Sequence, residues 1–97
     1  MPPEDLQAVK RLAKDLQNQE PRASGEKLGG FEMGARALDK CRASLVGMAG
    51  DFQFNCPMDQ RFFGMAGLDA TQFRTFVATG ATDEEVDQWV RENGSAS

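Results

Sequence analysis

The sequence has no histidine and no tyrosine, and only two cysteines, among its 97 residues. Without an imidazole there can be no histidine-based triad, no histidine-bearing zinc site and no imidazole pH switch. Two thiols cannot build a four-thiolate zinc site either. Any chemistry must come from carboxylates, Lys, Arg, a thiol or a bound group. No reaction-specific motif accompanies those side chains, so no metal and no cofactor is implied. Long apolar runs are missing as well: the longest stretch without a polar side chain is Phe62 to Leu68, seven residues where a membrane helix needs about 20. The opening run Met1, Pro2, Pro3, Glu4, Asp5 has neither the basic region nor the apolar core of a signal peptide. The expectation is a soluble cytoplasmic protein, with no membrane partner, whose Cys41 and Cys56 are thiols rather than a disulfide.

Positive charge is also in short supply. Eleven Lys and Arg face fifteen Asp and Glu, a net −4, which argues against a nucleic-acid binder. The imbalance is local. Residues 22–42 carry a net +2 and residues 43–97 a net −5, so one end could attract anions. A chain this short buries roughly 60–65% of its unfolded surface, enough for one modest core and one domain.

What is present reads as helix. Leu6, Val9, Leu12, Ala13 and Leu16 fall on one arc of about 120°, predicting a first helix stopped by Pro21. Gly25, Gly29 and Gly30 make 21–30 a loop. A second helix is expected from Phe31, with Phe31, Gly34, Ala35, Leu38, Cys41 and Leu45 inward and a solvated stripe of Glu32, Arg36, Asp39 and Lys40, closed by Gly47. Phe52 and Phe54 alternate in a short extended link, both rings on one face. Pro57 opens a third helix with Cys56 or Asn55 as its cap, and Gly67 ends it. Asp69 with Gln72, and Thr82 with Glu85, predict capping boxes for two further helices. The fold class is therefore all-α: one compact domain of about five short helices with one short extended link, around a Phe- and Met-rich core. Residues 1–20 form an N-terminal amphipathic helix packing on the domain, 21–93 the helical core, and 94–97 a frayed tail.

From Pro21 to Trp89 the chain resembles the small bacterial proteins of domain-of-unknown-function family 5069. The residues that carry the likeness are Pro21-Arg22, Leu28-Gly29-Gly30, Ala35 to Lys40 with Arg42-Ala43, Gly47, Gly50, Cys56-Pro57, Asp59, Phe62-Phe63, Gly67, Gly80, Asp83-Glu84 and Trp89. Phe52 stands where the family pattern has Tyr, and Cys41 where it has Ala. The resemblance implies a single compact cytoplasmic unit of this size and supplies no catalytic residue.

Two charged residues fall inside apolar arcs: Arg42 between Phe31 and Ala35, and Asp59 between Ala66 and Phe63. Burial of an unpaired charge is costly, so the economical expectation is a structural Arg42–Asp59 pair. Asp59 could alternatively cap Cys56 from the third helical position. Cys56 itself, at a helix N-terminus, is the nearest approach to a chemical site, because backbone N–H groups there favour a thiolate. Leu28-Gly29-Gly30, flanked by Arg22 and Lys27 and followed by Arg36, could present N–H groups to an anion. These features lead to a non-catalytic binding or interaction module. Its surface would use Arg22, Lys27, Gly29, Gly30, Arg36 and Lys40, with a ring from Phe62 or Phe63 alongside, for a protein partner or small anionic ligand. The rivals are a thiol-dependent enzyme or redox sensor using Cys56, and a carrier of a small anion; self-association is left open.

Overall fold

The computed structural model describes residues 3–94, and among them lie five helices and no strand. In chain order they are α1 (Leu6–Leu12), α2 (Gly34–Leu45), α3 (Pro57–Ala66), α4 (Ala70–Val77) and α5 (Asp83–Asn93). The helix starts follow local cap chemistry. Cys56 caps α3 with extended backbone ahead of Pro57, a position where proline's missing N–H costs nothing. Gly67 closes that helix in the left-handed conformation at φ +68. The Asp69 carboxylate accepts the Gln72 N–H at 3.0 Å. Thr82 and Glu85 form a complete capping box at 3.2 and 2.9 Å. Among the described residues no helix is long and apolar enough to cross a membrane.

Two helices are shorter than their apolar periodicity predicts. Helix α1 stops at Leu12 because Ala13 turns extended. The Asp15 carboxylate then gathers the Gln17 N–H and the Asn18 amide into a turn, while Leu16 is buried separately and donates its N–H to the Met48 carbonyl at 2.9 Å. Helix α2 starts at Gly34 rather than Phe31. Gly29 and Gly30 both have positive φ, which lets Leu28 and Phe31 exchange backbone hydrogen bonds across an isolated bridge at 2.9 and 3.0 Å. Gly34 itself is required for packing, since a Cβ there would sit 2.6 Å from Leu28 and 2.8 Å from the Phe62 ring.

Helix α2 lies against α1, α3 and α4. On one side an aromatic cluster fills the core: Phe62 and Phe63 are both buried, and Phe73 packs on each of them with centroids 6.0 and 5.1 Å away. Phe54 joins the cluster through Phe63 and Phe73, whereas Phe52 lies under the Arg36 guanidinium. The extended link therefore sends its two rings to different neighbours. The core is rich in phenylalanine but not in methionine: Met58 and Met65 are exposed. Neither Phe62 nor Phe63 is offered to a partner. Helix α1 is anchored by fully buried Val9 and by the Asp5 N–H on the Ala78 carbonyl. The expected tail begins with Gly94, which is held by its N–H on the Val90 carbonyl at 2.8 Å. Residues 95–97, like Met1 and Pro2, lie outside the described residues.

The far side of α2 departs most from expectation. Asp39 and Lys40, placed by periodicity on a solvated stripe, are 3% and 4% exposed, as buried as Arg42 at 3%. The segments around residue 22 and residues 55–59 fold over that face and bring each charge a partner.

Candidate functional site

Three side chains from two elements meet at the start of α3. Lys40, on α2, reaches Asp59 Oδ2 at 3.1 Å and donates to Cys56 Sγ at 3.0 Å. Asp59 is 1% exposed and Lys40 4%, while Cys56 remains partly open to solvent. The Asp59 carboxylate also accepts the Asn55 N–H at 2.8 Å. That bond closes the turn in which Asn55 takes a left-handed φ of +63, a conformation asparagine tolerates better than most residues. The turn, in turn, places Cys56 at the cap and its sulfur over the Lys40 ammonium.

Electrostatics at Cys56 favour the thiolate. Burial is the largest single influence and pushes the thiol up, and the Asp59 charge adds to it, but the Lys40 hydrogen bond and the Asp59 and Met58 N–H groups together outweigh both, and the pKa falls below its ordinary value of 9.0. Cys41 is the opposite case. It is fully buried, and burial pushes its thiol up to about 12 despite Arg74 and Arg42 nearby. Cys41 is a core residue, inert to solvent-borne reagents at neutral pH.

Asp59 and Arg42 do not pair with each other. Both are buried, as their places in apolar arcs required, but Arg42 turns to α5, meeting Asp83 at 2.7 Å and the Ala81 carbonyl at 2.9 Å. Asp83 is shared with Arg22 at 2.9 Å, and Arg22 clamps Asp39 through its Nε, Nη2 and backbone N–H. Four alternating charges, Asp39, Arg22, Asp83 and Arg42, thus tie the loop after α1, the middle of α2 and the first turn of α5. Both arginines hold the Asp83 carboxyl below its ordinary value, against the opposing pull of partial burial.

The residues expected to bind an anion are dispersed. Arg22 is committed to the clasp. Lys27 is exposed beside it, in a depression of about 460 Å³ that the two cations share with Asp83, Glu84 and Asp87. The Gly29 N–H already donates to the Asp87 carboxylate, and Gly29 lines a different hollow with Phe31 and Arg91. Gly30, with φ +90, is exposed in the turn. Arg36 lies on Phe52 and reaches the Arg22 carbonyl at 3.4 Å, and Lys40 is buried at the thiol. A family model for a domain of unknown function, DUF5069, matches residues 18–97.

The chain belongs to the DUF5069 family. No curated protein matches it. The matched stretch holds the whole thiol cluster and the whole clasp, while α1 lies ahead of it.

Sequence reasoning about this DUF5069 chain located Cys56 and Asp59 but not their link through Lys40. Asp59 demanded a buried cation, and two stood close together on α2. Helical angle favoured Arg42, which lies in the apolar arc; Lys40 sits on the opposite, charged stripe. Only a segment folded over that stripe brings Lys40 inside, and nothing in local spacing announces it. Asp83 stands in the first turn of α5, where the helix dipole favours an acid, and nothing in that local placement announces the hub of two arginines.

Proposed function

We propose that this DUF5069 protein acts through its Cys56 thiolate, a nucleophile held ready for an oxidant or other small electrophile in a reducing, cytoplasmic compartment. The observation that carries the reading is the buried Lys40 ammonium 3.0 Å from Sγ. A buried cation aimed at a partly exposed thiol stabilises the charged, reactive form more strongly than a solvated lysine would. The helix N-terminus adds to the same effect. The absence of an imidazole, which removes the usual base, matters less where a cation makes the thiolate directly.

The test is the rate of iodoacetamide alkylation at Cys56 against pH. The profile should rise at lower pH than that of the same thiol in the urea-unfolded chain. Replacing the pair together, Lys40→Met with Asp59→Asn, should shift it upward and slow the neutral-pH rate by about 3–10-fold. A native profile identical to that of the unfolded chain, unchanged in the double variant, overturns the reading.

The second reading, a binding module presenting segment 22–40, is favoured by exposed Lys27 and the depression beside it. Its weakness is charge: Arg22 and Lys40 each already have a carboxylate partner. Amide shifts across residues 22–40 on titration with inorganic phosphate would support it, and silence there would end it.

A further inference from the structure

We propose that Lys40 is the resolving group for an oxidised Cys56, closing a reversible covalent Lys40–Cys56 cross-link when the protein meets a hydroperoxide. The inference rests on the thiolate reading above and specifies its regulation. Oxidised protein thiols are normally resolved by a second cysteine. Here Cys41 is fully buried in the core, while the nitrogen of Lys40 already touches the sulfur that would be oxidised. A sulfenic acid is known to condense with nitrogen to give a sulfenamide, and of the nitrogens in reach at Cys56 the nucleophilic one is the Lys40 amine, held in place by Asp59, rather than the backbone amides of Met58 and Asp59.

The steps balance. The Cys56 thiolate attacks one oxygen of hydrogen peroxide, forming the S–O bond as the O–O bond breaks. The departing hydroxide takes a proton from the Lys40 ammonium, leaving water and a neutral amine beside the sulfenic acid. The amine then attacks sulfur, forming the S–N bond as the S–O bond breaks, and the second hydroxide leaves with a proton from nitrogen as water. One peroxide is reduced by two electrons, the sulfur is oxidised by two, and the ammonium and thiolate charges cancel. Two equivalents of an external thiol reverse the process, ending as a disulfide while the Cys56 thiol and Lys40 amine are restored.

The cross-link would also act as a switch. It consumes the positive charge of Lys40 and leaves Asp59, 1% exposed, without its cation. A buried carboxylate in that state is costly, so the Asn55 turn that Asp59 holds should loosen on oxidation.

The experiment treats the full chain with one equivalent of hydrogen peroxide, blocks remaining thiols, and analyses a tryptic digest by mass. An S–N bond at Lys40 blocks cleavage after that residue, so peptide 37–42 should appear joined to 43–61, about 2 Da below the sum of the separate peptides, and dithiothreitol should separate them. A Cys41→Ala chain should behave identically, which excludes a Cys41–Cys56 disulfide of the same mass loss. Cys56 found only as sulfenic or sulfinic acid, with normal cleavage after Lys40, overturns the resolving role but leaves the thiolate reading standing. A joined pair carrying an extra oxygen overturns the direct S–N form. Cys56 untouched by peroxide overturns both readings.

Discussion

The two buried charge clusters of this small protein are built on opposite plans. The clasp of Asp39, Arg22, Asp83 and Arg42 is redundant: each carboxylate takes hydrogen bonds from more than one donor, and each arginine has more than one acceptor. It joins residues up to 61 positions apart and presents no nucleophile. The thiol cluster is sparse. Lys40 has one carboxylate and one sulfur, and Asp59 has Lys40 and one backbone N–H. Redundancy suits a brace between elements, because the loss of either acid still leaves each arginine an acceptor. Sparseness concentrates the field of one cation on one sulfur, at the risk that any loss is fully felt.

The sharpest way to break that comparison is to remove one acid from each cluster. Asp59→Ala leaves Lys40 buried without a counter-ion and the Asn55 N–H without its acceptor, and should cost about 3–5 kcal/mol. Asp83→Ala leaves Arg22 on Asp39 and Arg42 on the Ala81 carbonyl. Buried Arg42 then loses its one carboxylate, but it keeps that carbonyl, and half of the Asp83 side chain is already exposed, so the loss should cost less, about 1–3 kcal/mol. Urea unfolding of the two variants decides it. If Asp83→Ala is the more damaging, the clasp is not redundant and the contrast fails.

The same contrast explains what could be read from the sequence. Features that depend on a few neighbouring residues were legible: the Cys56-Pro57 start of α3, the Gly67 stop, Asp69 on Gln72, and the reciprocal Thr82 and Glu85. The burial of Arg42 and Asp59 was legible too, since helical angle places each in an apolar arc. Their partners were not. Arg42 and Asp83 are 41 positions apart, and Lys40 reaches Cys56 across 16, distances at which chain direction rather than spacing decides. The end of α1 fails for the same reason, because Leu16 leaves the helix to meet the Met48 carbonyl. Met58 and Met65 show the converse: apolar residues expected in the core lie exposed.

A second pair sharpens the comparison, the two cysteines. Cys41 has a folded pKa of about 12, above its unfolded value of 9.0. The stability it contributes is therefore complete below pH 9.0 and is lost as pH rises toward the folded value. By pH 10 the unfolded state should gain about 1 kcal/mol from this thiol. Cys56 works in the other direction, its lowered pKa adding stability as its thiolate forms. Urea midpoints between pH 8 and 10 should thus fall less steeply in Cys41→Ala than in the parent chain, and more steeply in Cys56→Ser. Equal slopes in all three would mean that neither thiol titrates differently on folding.

The smallest effect lies at the exposed arm of the clasp. Asp83 is held below its ordinary 3.8 by Arg42 and Arg22, so its contribution is present above pH 3.8 and disappears as pH falls through the lower folded value. Because the carboxylate is half in water, solvent screening keeps this below about 1 kcal/mol. Salt should reduce it further, since exposed pairs are screened over about 8–10 Å near physiological ionic strength. The buried Lys40–Asp59 contact, closed off from mobile ions, should respond far less. Unfolding measured at pH 6 and pH 3, each in low and high salt, should show the Asp83→Asn chain losing less stability on acidification than the parent, with the difference shrinking as salt rises. A difference that persists undiminished in high salt would place the Arg22–Asp83 arm out of solvent's reach and make the two clusters electrically alike.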